Sequence, residues 1–131
     1  MRLIILWLCL LCVPAAAADR PISAEEFDRY TRGKTLFYGV DGVDYGVEEY
    51  LNDRRVRWAF LGDECVEGYW YAEGSNICFA YEAREGVQCW QFFLSNGRLT
   101  AQSMNEGSDT TVYEINKSSE PMICLGPQIG V

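Results

Sequence analysis

Residues 65–90, CVEGYWYAEGSNICFAYEAREGVQCW, decide the fold of this chain. Apolar and polar residues alternate on both sides of Gly74-Ser75, and a two-residue turn at that pair places Trp70 opposite Phe79. Such alternation is typical of strands with one buried face. Because the same stretch also carries three cysteines, it predicts a β-hairpin within a disulfide-stapled β-domain.

A second hairpin is predicted around Asn96-Gly97, the strongest turn signal in the chain. A type I′ turn needs positive φ at both central positions, which these two residues tolerate best. The turn pairs Leu94 with Leu99. These two hairpins and a third one, predicted between residues 45 and 60, select one candidate buried set: Val47, Trp58, Phe60, Val66, Trp70, Ile77, Phe79, Tyr81, Trp90, Phe92, Leu94 and Leu99.

A third hairpin is predicted with Asn52-Asp53 as a two-residue turn. The expected register places Val47 with Trp58 and Tyr45 with Phe60 on the buried face, and Glu48 with Arg57 and Tyr50 with Arg55 on the solvent face. One pair, Glu49 opposite Val56, does not fit this division of faces.

One short helix is predicted before the strands. Ser23 and Glu26 form a capping-box pattern, and the helix runs over residues 24–32 until Gly33 ends it. Phe27 and Tyr30 share one face of this helix. We therefore expect it to cover the sheet or plug one end of a barrel.

Weaker strand signals lie at residues 36–40, 110–115 and 122–125, which brings the total to about eight strands joined mostly by short turns. An antiparallel meander of this length buries its single apolar face by curling. The predicted fold class is therefore mainly β: an antiparallel meander of about eight strands, forming a barrel or half-barrel, with one short N-terminal helix and two disulfides. A sandwich is the alternative.

The chain begins like an exported protein. Met1-Arg2, an apolar run over residues 3–13 and the small residues that follow resemble a secretory signal peptide cleaved after Ala18. We expect residues 1–18 to be the signal peptide and residues 19–131 to be one β-rich domain, periplasmic or secreted, without membrane insertion after cleavage. The net charge of −8 opposes binding to nucleic acid or to anionic membranes.

Four cysteines follow the predicted cleavage site: Cys65, Cys78, Cys89 and Cys124. An even number of cysteines in an exported chain predicts two disulfides. Because Cys78 and Cys89 lie on consecutive predicted strands, we favour Cys78–Cys89 with Cys65–Cys124 among the three connectivities, although spacing alone does not decide between them. The spacing lacks the close cysteine pairs of a zinc site.

The residue types argue against an enzyme. The chain contains no histidine, so the common serine, cysteine and zinc hydrolase centres are excluded. Carboxylate chemistry remains, but adjacent strand residues such as Glu48 and Glu49 point to opposite faces and cannot flank one bond. We expect no catalytic residue, cofactor or metal.

Two groups of residues are candidates for a partner surface. Tyr69 and Tyr71 point away from the predicted core face, and aromatic residues at surfaces favour protein contacts. Arg54, Arg55 and Arg57 form the only dense basic group. They are either a clamp for an anionic partner or solvated side chains that include a Glu48–Arg57 cross-strand pair. Trp58, Trp90 and Trp70 are expected to pack in the core.

The chain also resembles a known family. The motifs that carry the resemblance are a short SAEEFDRY helix leading into GKTLFY, then YGVEEYL, RVRW, and GYW followed by ICF and CW. They are similar to small exported bacterial proteins of a domain-of-unknown-function family, with a G-x-W strand followed by two cysteines: here Gly68, Trp70, Cys78 and Cys89. The resemblance implies export and a β-rich fold, and it brings no catalytic or binding residue.

Two functional hypotheses follow. The first is a non-catalytic interaction or envelope accessory module that acts through exposed strand edges, Tyr69, Tyr71 and the arginines. The second is a carrier or sensor that holds a small apolar or amphipathic molecule inside the barrel. The discriminating feature is whether large side chains fill the barrel. We expect them to fill it, which favours the first hypothesis.

Overall fold

A computed structural model describes residues 20–124. The predicted signal peptide therefore lies outside the described residues. The elements, in chain order, are α1 (Ala24–Thr31), β1 (Thr35–Val40), β2 (Val43–Tyr50), β3 (Arg55–Phe60), β4 (Val66–Glu73), β5 (Asn76–Tyr81), β6 (Gln88–Ser95), β7 (Arg98–Ser103) and β8 (Thr111–Ser118), with one 3₁₀ turn at Asn52–Arg54.

The eight strands form a closed antiparallel barrel. Each strand pairs with its neighbours in sequence, and β8 returns to pair with β1. The predicted fold class is confirmed in its closed form. Closure pairs each of the eight described strands on both sides, so the exposed strand edges expected in the first functional hypothesis are not found there, whereas the interaction itself stays a prediction.

Helix α1 covers one end of the barrel. The capping box is present: Ser23 Oγ accepts from the backbone N–H of Glu26, and the Glu26 carboxylate accepts from the N–H of Ser23. Phe27 is fully buried in the barrel. The centroid of its ring lies 4.5–6.3 Å from the ring centroids of four aromatic residues: Tyr50, Trp70, Phe79 and Phe92. The plug predicted from this helix face is confirmed.

Two of the predicted hairpins are correct in register. Strands β4 and β5 pair Trp70 with Phe79, and β6 and β7 pair Leu94 with Leu99. Asn96 has φ 51° and Gly97 has φ 74°, as a type I′ turn requires. In both hairpins the turn chemistry and the apolar alternation agree, and this agreement fixed the register.

The predicted register between β2 and β3 is wrong by one residue. The loop contains three residues, 52–54, instead of two, because Asp53 and Arg54 both adopt left-handed backbone conformations with φ 58° and 59°. Glu49 pairs with Arg57, and Tyr50 pairs with Val56. From Val47 to Tyr50 the side chains of β2 therefore lie on the faces opposite to the predicted ones, whereas Tyr45, at an irregularity in the β1–β2 ladder, lines the barrel interior as predicted.

The two disulfides are Cys65–Cys124 and Cys78–Cys89, the connectivity favoured from the sequence. The second joins directly opposed residues of β5 and β6. The first anchors the segment after β8, which accepts a hydrogen bond at the Glu120 carbonyl from Thr35 Oγ1. In the chain-entropy model, closing loops of these lengths contributes about 4 and about 3 kcal/mol respectively.

That terminal segment corrects one further prediction. Residues 122–124 form no strand, so the predicted strand at 122–125 is wrong over its described part. All eight neighbour pairings of the barrel are already made by β1–β8, and a ninth strand would have no partner. Within the described ranges, no helix has the length and apolar character to cross a membrane.

Candidate functional site: a cavity at the barrel mouth

The two ends of the barrel differ. The helix end is covered by α1 and carries the loops β2–β3, β4–β5 and β6–β7, whereas the opposite end, here called the mouth, carries the loops β1–β2, β3–β4, β5–β6 and β7–β8. A cavity remains inside the barrel toward the mouth. It is lined by Tyr38, Tyr45, Glu48, Tyr50, Trp58, Phe79, Tyr81, Gln88, Trp90, Phe92 and Val112.

The mouth cavity is small. The space available to the centres of water-sized molecules is about 40 Å³, and roughly 10–15 Å³ suffices for one water. The expectation that large side chains fill the barrel completely is therefore wrong. Trp70 and Phe27 do fill the helix end, but the rings of Trp58 and Trp90 leave space between them and the opposite wall.

Glu48 is the central polar group of the mouth cavity. The register of β2 turns its side chain into the barrel, where it is only 2% exposed, although the sequence predicted a solvent-facing residue. Tyr81 Oη lies 3.0 and 3.1 Å from the two carboxylate oxygens and donates to them. Burial raises the pKa of the Glu48 carboxyl well above its ordinary value, against the opposing effects of the Tyr81 hydrogen bond and the Arg84 charge.

Tyrosine hydroxyls supply the other polar groups of the lining. The hydroxyls of Tyr38 and Tyr50 lie 2.8 Å apart and share a hydrogen bond. Burial raises the pKa of Tyr38, Tyr50 and Tyr81 well above the ordinary value for a phenol. These phenols are therefore neutral donors and acceptors at physiological pH.

Two glycines give the aromatic walls their shape. A Cβ at Gly46 would lie 2.4 Å from Cη2 of Trp58, so the indole lies directly over the β2 backbone. A Cβ at Gly68 would lie 2.7 Å from Cδ1 of Tyr81, as expected for an aromatic ring that covers a strand glycine. The position of Tyr81, the donor to Glu48, therefore depends on the absence of a side chain at Gly68.

Exposed apolar side chains surround the mouth. Each of the four loops at this end has one beside or within it: Val43, Leu61, Val87 and Met104. Arg84 also lies at this end, and its guanidinium stacks 4.7 Å from the centroid of the Phe60 ring. These apolar side chains stand among exposed acidic residues of the same loops, such as Asp41, Asp63 and Glu85, and a mixed rim around a partly polar cavity is an arrangement that amphipathic molecules fit.

A second buried carboxylate, Glu114, provides a contrast. It is 4% exposed, and the Tyr30 hydroxyl of α1 lies 2.6 and 2.8 Å from its two oxygens. The same hydroxyl lies 2.9 Å from the Gly97 carbonyl oxygen. Glu114 does not line the mouth cavity. Its interaction instead ties the helix to the barrel.

Among the predicted surface residues, Arg55 and Tyr69 lie opposite each other on β3 and β4 and line one surface groove. Tyr69 is 54% exposed, with its ring 6.2 Å from that of the half-buried Tyr71. Arg57 is paired with Glu67 at 2.7 Å and with Glu49 at 3.1 Å, so the predicted Glu48–Arg57 pair is wrong.

The other two arginines have different contacts. Arg54 stacks 4.4 Å from the centroid of the Trp70 ring at the helix end, whereas Arg55 is exposed on β3, 4.0 Å from Glu67. Arg55 and Arg57 therefore share the Glu67 carboxylate, and Arg54 is directed to an aromatic ring instead.

Sequence reasoning missed Glu48 as a site residue. A signal for it was present: the predicted register left Glu49 opposite Val56, whereas a shift of one residue places Glu49 opposite Arg57 and Arg57 opposite Glu67. That shift completes a ladder of alternating charges on the outer face. The same shift turns Glu48 into the barrel. A rule that places every charged residue in solvent therefore rejects the correct register.

In comparisons with family models, curated proteins and solved structures, no significant match to this chain was found. The resemblance to exported bacterial proteins stays a prediction, and the mouth cavity has to be interpreted from its own chemistry.

Proposed function

We propose that this protein is a non-catalytic carrier or sensor that binds a small amphipathic molecule in the mouth cavity after export. The observation that carries the proposal is the asymmetry of the barrel interior. Large side chains fill one end, while the other keeps an aromatic-lined cavity with a buried polar group and a mixed rim. The two disulfides support a role in an oxidising compartment.

The energetics of Glu48 support binding over a purely structural role. A buried carboxylate with one hydroxyl donor reduces stability, and a hydrophobic residue of similar volume would pack there at lower cost. Groups of this kind cluster at functional sites. Glu48 lines the cavity deep inside the barrel, so a ligand that enters between the side chains of the rim would meet it at the inner wall.

Native mass spectrometry of the purified protein tests the proposal. We expect a stoichiometric adduct of a few hundred daltons that is present in the native spectrum and absent from the denaturing one. A Val112→Phe variant places additional volume in the cavity and should lose the adduct. Tyr113→Trp, at the exposed neighbouring position on β8, is the matched control and should keep it.

Circular dichroism of the Val112→Phe variant establishes that it folds before its spectrum is compared. An adduct that persists in folded Val112→Phe would place the ligand elsewhere and contradict the proposal. A clean native mass after purification by gentle methods, together with no ligand uptake from a small-molecule panel, would also contradict it.

Protein interaction is the second candidate function, because Tyr69 is a large exposed aromatic residue packed beside Tyr71. In this case a protein partner should co-purify in stoichiometric amount. The complex should be lost in Tyr69→Ser and kept in Val112→Phe, the reverse of the result expected for a ligand in the cavity.

A further inference from the structure

The charge that the mouth cavity can carry is negative. Glu48 is the one carboxylate among the lining residues, and the buried phenols of Tyr38, Tyr50 and Tyr81 remain neutral. The remaining lining side chains are aromatic, aliphatic or an amide. A ligand that matches this cavity electrically is therefore neutral or cationic.

The hydrogen bonding of Glu48 is incomplete. A carboxylate offers about four acceptor positions, and within residues 20–124 the Tyr81 hydroxyl is the one donor within hydrogen-bond distance of it. The nearby Arg84 guanidinium stacks on Phe60, and its charge lowers the pKa of Glu48 without a hydrogen bond to the carboxylate. Both carboxylate oxygens accept from Tyr81, and Glu48 lines the cavity with acceptor positions that this one hydroxyl leaves unused.

Aromatic rings share the cavity with this acceptor. Tyr45, Trp58, Phe79 and Trp90 line the same cavity as Glu48. The face of an aromatic ring attracts cations, by about 2 kcal/mol or more where water is excluded, and tryptophan is the strongest of these partners. A buried carboxylate among aromatic rings is therefore suited to an ammonium group, which the carboxylate pairs and the rings surround.

We propose that the mouth cavity selects small organic ammonium compounds, with the ammonium group on Glu48 and the indoles of Trp58 and Trp90 among the surrounding cavity walls. This inference rests on the proposed binding function and adds the charge class of the ligand. The cavity has room for the head group only, so the apolar part of the ligand lies outward against the rim, where Leu61 and Val87 are exposed.

Binding would be coupled to a proton. In the empty cavity Glu48 holds its proton over a raised pH range, and the ammonium group favours the carboxylate, so the proton passes to solvent while the ligand keeps all of its own. The titratable groups that face Glu48 are Tyr38 of β1, Tyr50 of β2, Tyr81 of β5 and Arg84 of the β5–β6 loop. Burial keeps the three phenols neutral near neutral pH, so affinity should rise with pH as Glu48 ionises.

Isothermal titration of three probes that share one phenyl body tests the proposal. The probes are phenethylamine, which is cationic, phenethyl alcohol, which is neutral, and phenylpropanoate, which is anionic. We expect the amine to bind at least about tenfold more tightly than the alcohol. We also expect proton release on amine binding, measured in buffers of different ionisation enthalpy.

Two matched variants locate the charge. Glu48→Gln keeps the shape of the side chain and should abolish both the preference for the amine and the proton release. Glu114→Gln removes the other buried carboxylate that accepts from a tyrosine, and it should change neither, because Glu114 does not line the cavity.

The outcomes separate the two proposals. If the alcohol binds as tightly as the amine, or if Glu48→Gln leaves amine affinity unchanged, the cation selectivity is overturned and the binding function stands. If none of the three probes binds while the native spectrum shows a neutral or anionic cargo, the selectivity alone fails. If none binds and no adduct of any kind is found, both proposals fail.

Discussion

The two ends of this barrel use the same kinds of residues for different purposes. At the helix end, Phe27 packs against four aromatic rings, and the buried carboxylate of Glu114 is held by Tyr30 of the helix. At the mouth, aromatic rings line a cavity instead of filling it, and the buried carboxylate of Glu48 faces that cavity.

The difference teaches that burial of a charged group has to be interpreted with its surroundings. Each carboxylate accepts from one tyrosine hydroxyl, but Glu114 accepts from the helix and contributes to its attachment, whereas Glu48 accepts from β5 and lines the mouth cavity. We therefore expect the helix end to supply most of the stability and the mouth to supply the binding chemistry. Four substitutions test this division, from the largest expected effect to the smallest.

Phe27→Ala should have the largest effect. Removal of a fully buried phenylalanine creates a cavity and costs about 3–5 kcal/mol of unfolding free energy, measured by urea denaturation. Tyr45→Ala at the mouth is the control. Because Tyr45 is half-buried beside an existing cavity, its loss should cost clearly less. Equal losses for the two variants would contradict the division between the ends.

Gly68→Val should have the next largest effect, because the added side chain would overlap the Ala80 carbonyl oxygen and the Tyr81 ring. Overpacking of this kind costs roughly 1–3 kcal/mol in the same urea measurement. Displacement of Tyr81 should also weaken ligand binding. Ala72→Val, at an exposed position of the same strand, is the control and should do neither. Unchanged stability in Gly68→Val would disprove the β4–β5 packing.

Glu48→Gln should increase stability at neutral pH. Burial raises the folded-state pKa of Glu48, so between the unfolded and folded pKa values the folded protein binds more protons, and stability falls as pH rises through that window. The variant lacks this loss. We expect the unfolding free energy of the variant to exceed that of the natural protein by on the order of 1 kcal/mol at about pH 8, and this difference should narrow toward about pH 4. A pH-independent difference in unfolding free energy would show that Glu48 does not titrate there.

Arg55→Ala should have the smallest effect, below about 0.5 kcal/mol, because the side chain is exposed and only 4.0 Å from Glu67. Arg57→Ala is the comparison, since Arg57 contacts both Glu49 and Glu67 and its loss leaves the half-buried Glu67 without that partner. Melting temperatures measure both. A larger loss for Arg55→Ala than for Arg57→Ala would contradict the outer charge ladder.

Much of the fold could be predicted from local patterns. The capping box located the helix, and Asn96-Gly97 fixed its hairpin, because in each case the residue types and the hydrogen bonds they make have one favoured geometry. The outward position of Cys78 and Cys89 followed from the same alternation and placed their disulfide between neighbouring strands.

The binding chemistry could not be predicted in the same way. Its position depends on Asp53 and Arg54, two residues without glycine's freedom that nevertheless adopt left-handed conformations, and the only sign of this in the sequence is indirect, the poor match of Glu49 with Val56 in the predicted register. The cavity also depends on the side-chain conformations of Trp58 and Trp90, which line it, and the alternation of apolar and polar residues does not determine those conformations. Local sequence rules predicted the strands of the barrel. The candidate site contains Glu48, which the rule that places charged residues in solvent assigned to the wrong face.

The length of the loop at 52–54 also determines which side chains of β2 face the cavity, and therefore which ligands the cavity can bind. Deletion of one residue there would exchange the faces of β2, moving Val47 inward and Glu48 into solvent, although no residue of the strand changes. In such a chain either the mouth cavity or the β2–β3 hairpin would be lost. During divergence this loop should therefore accept substitutions freely but resist insertions and deletions, in contrast to the longer β7–β8 loop at the mouth.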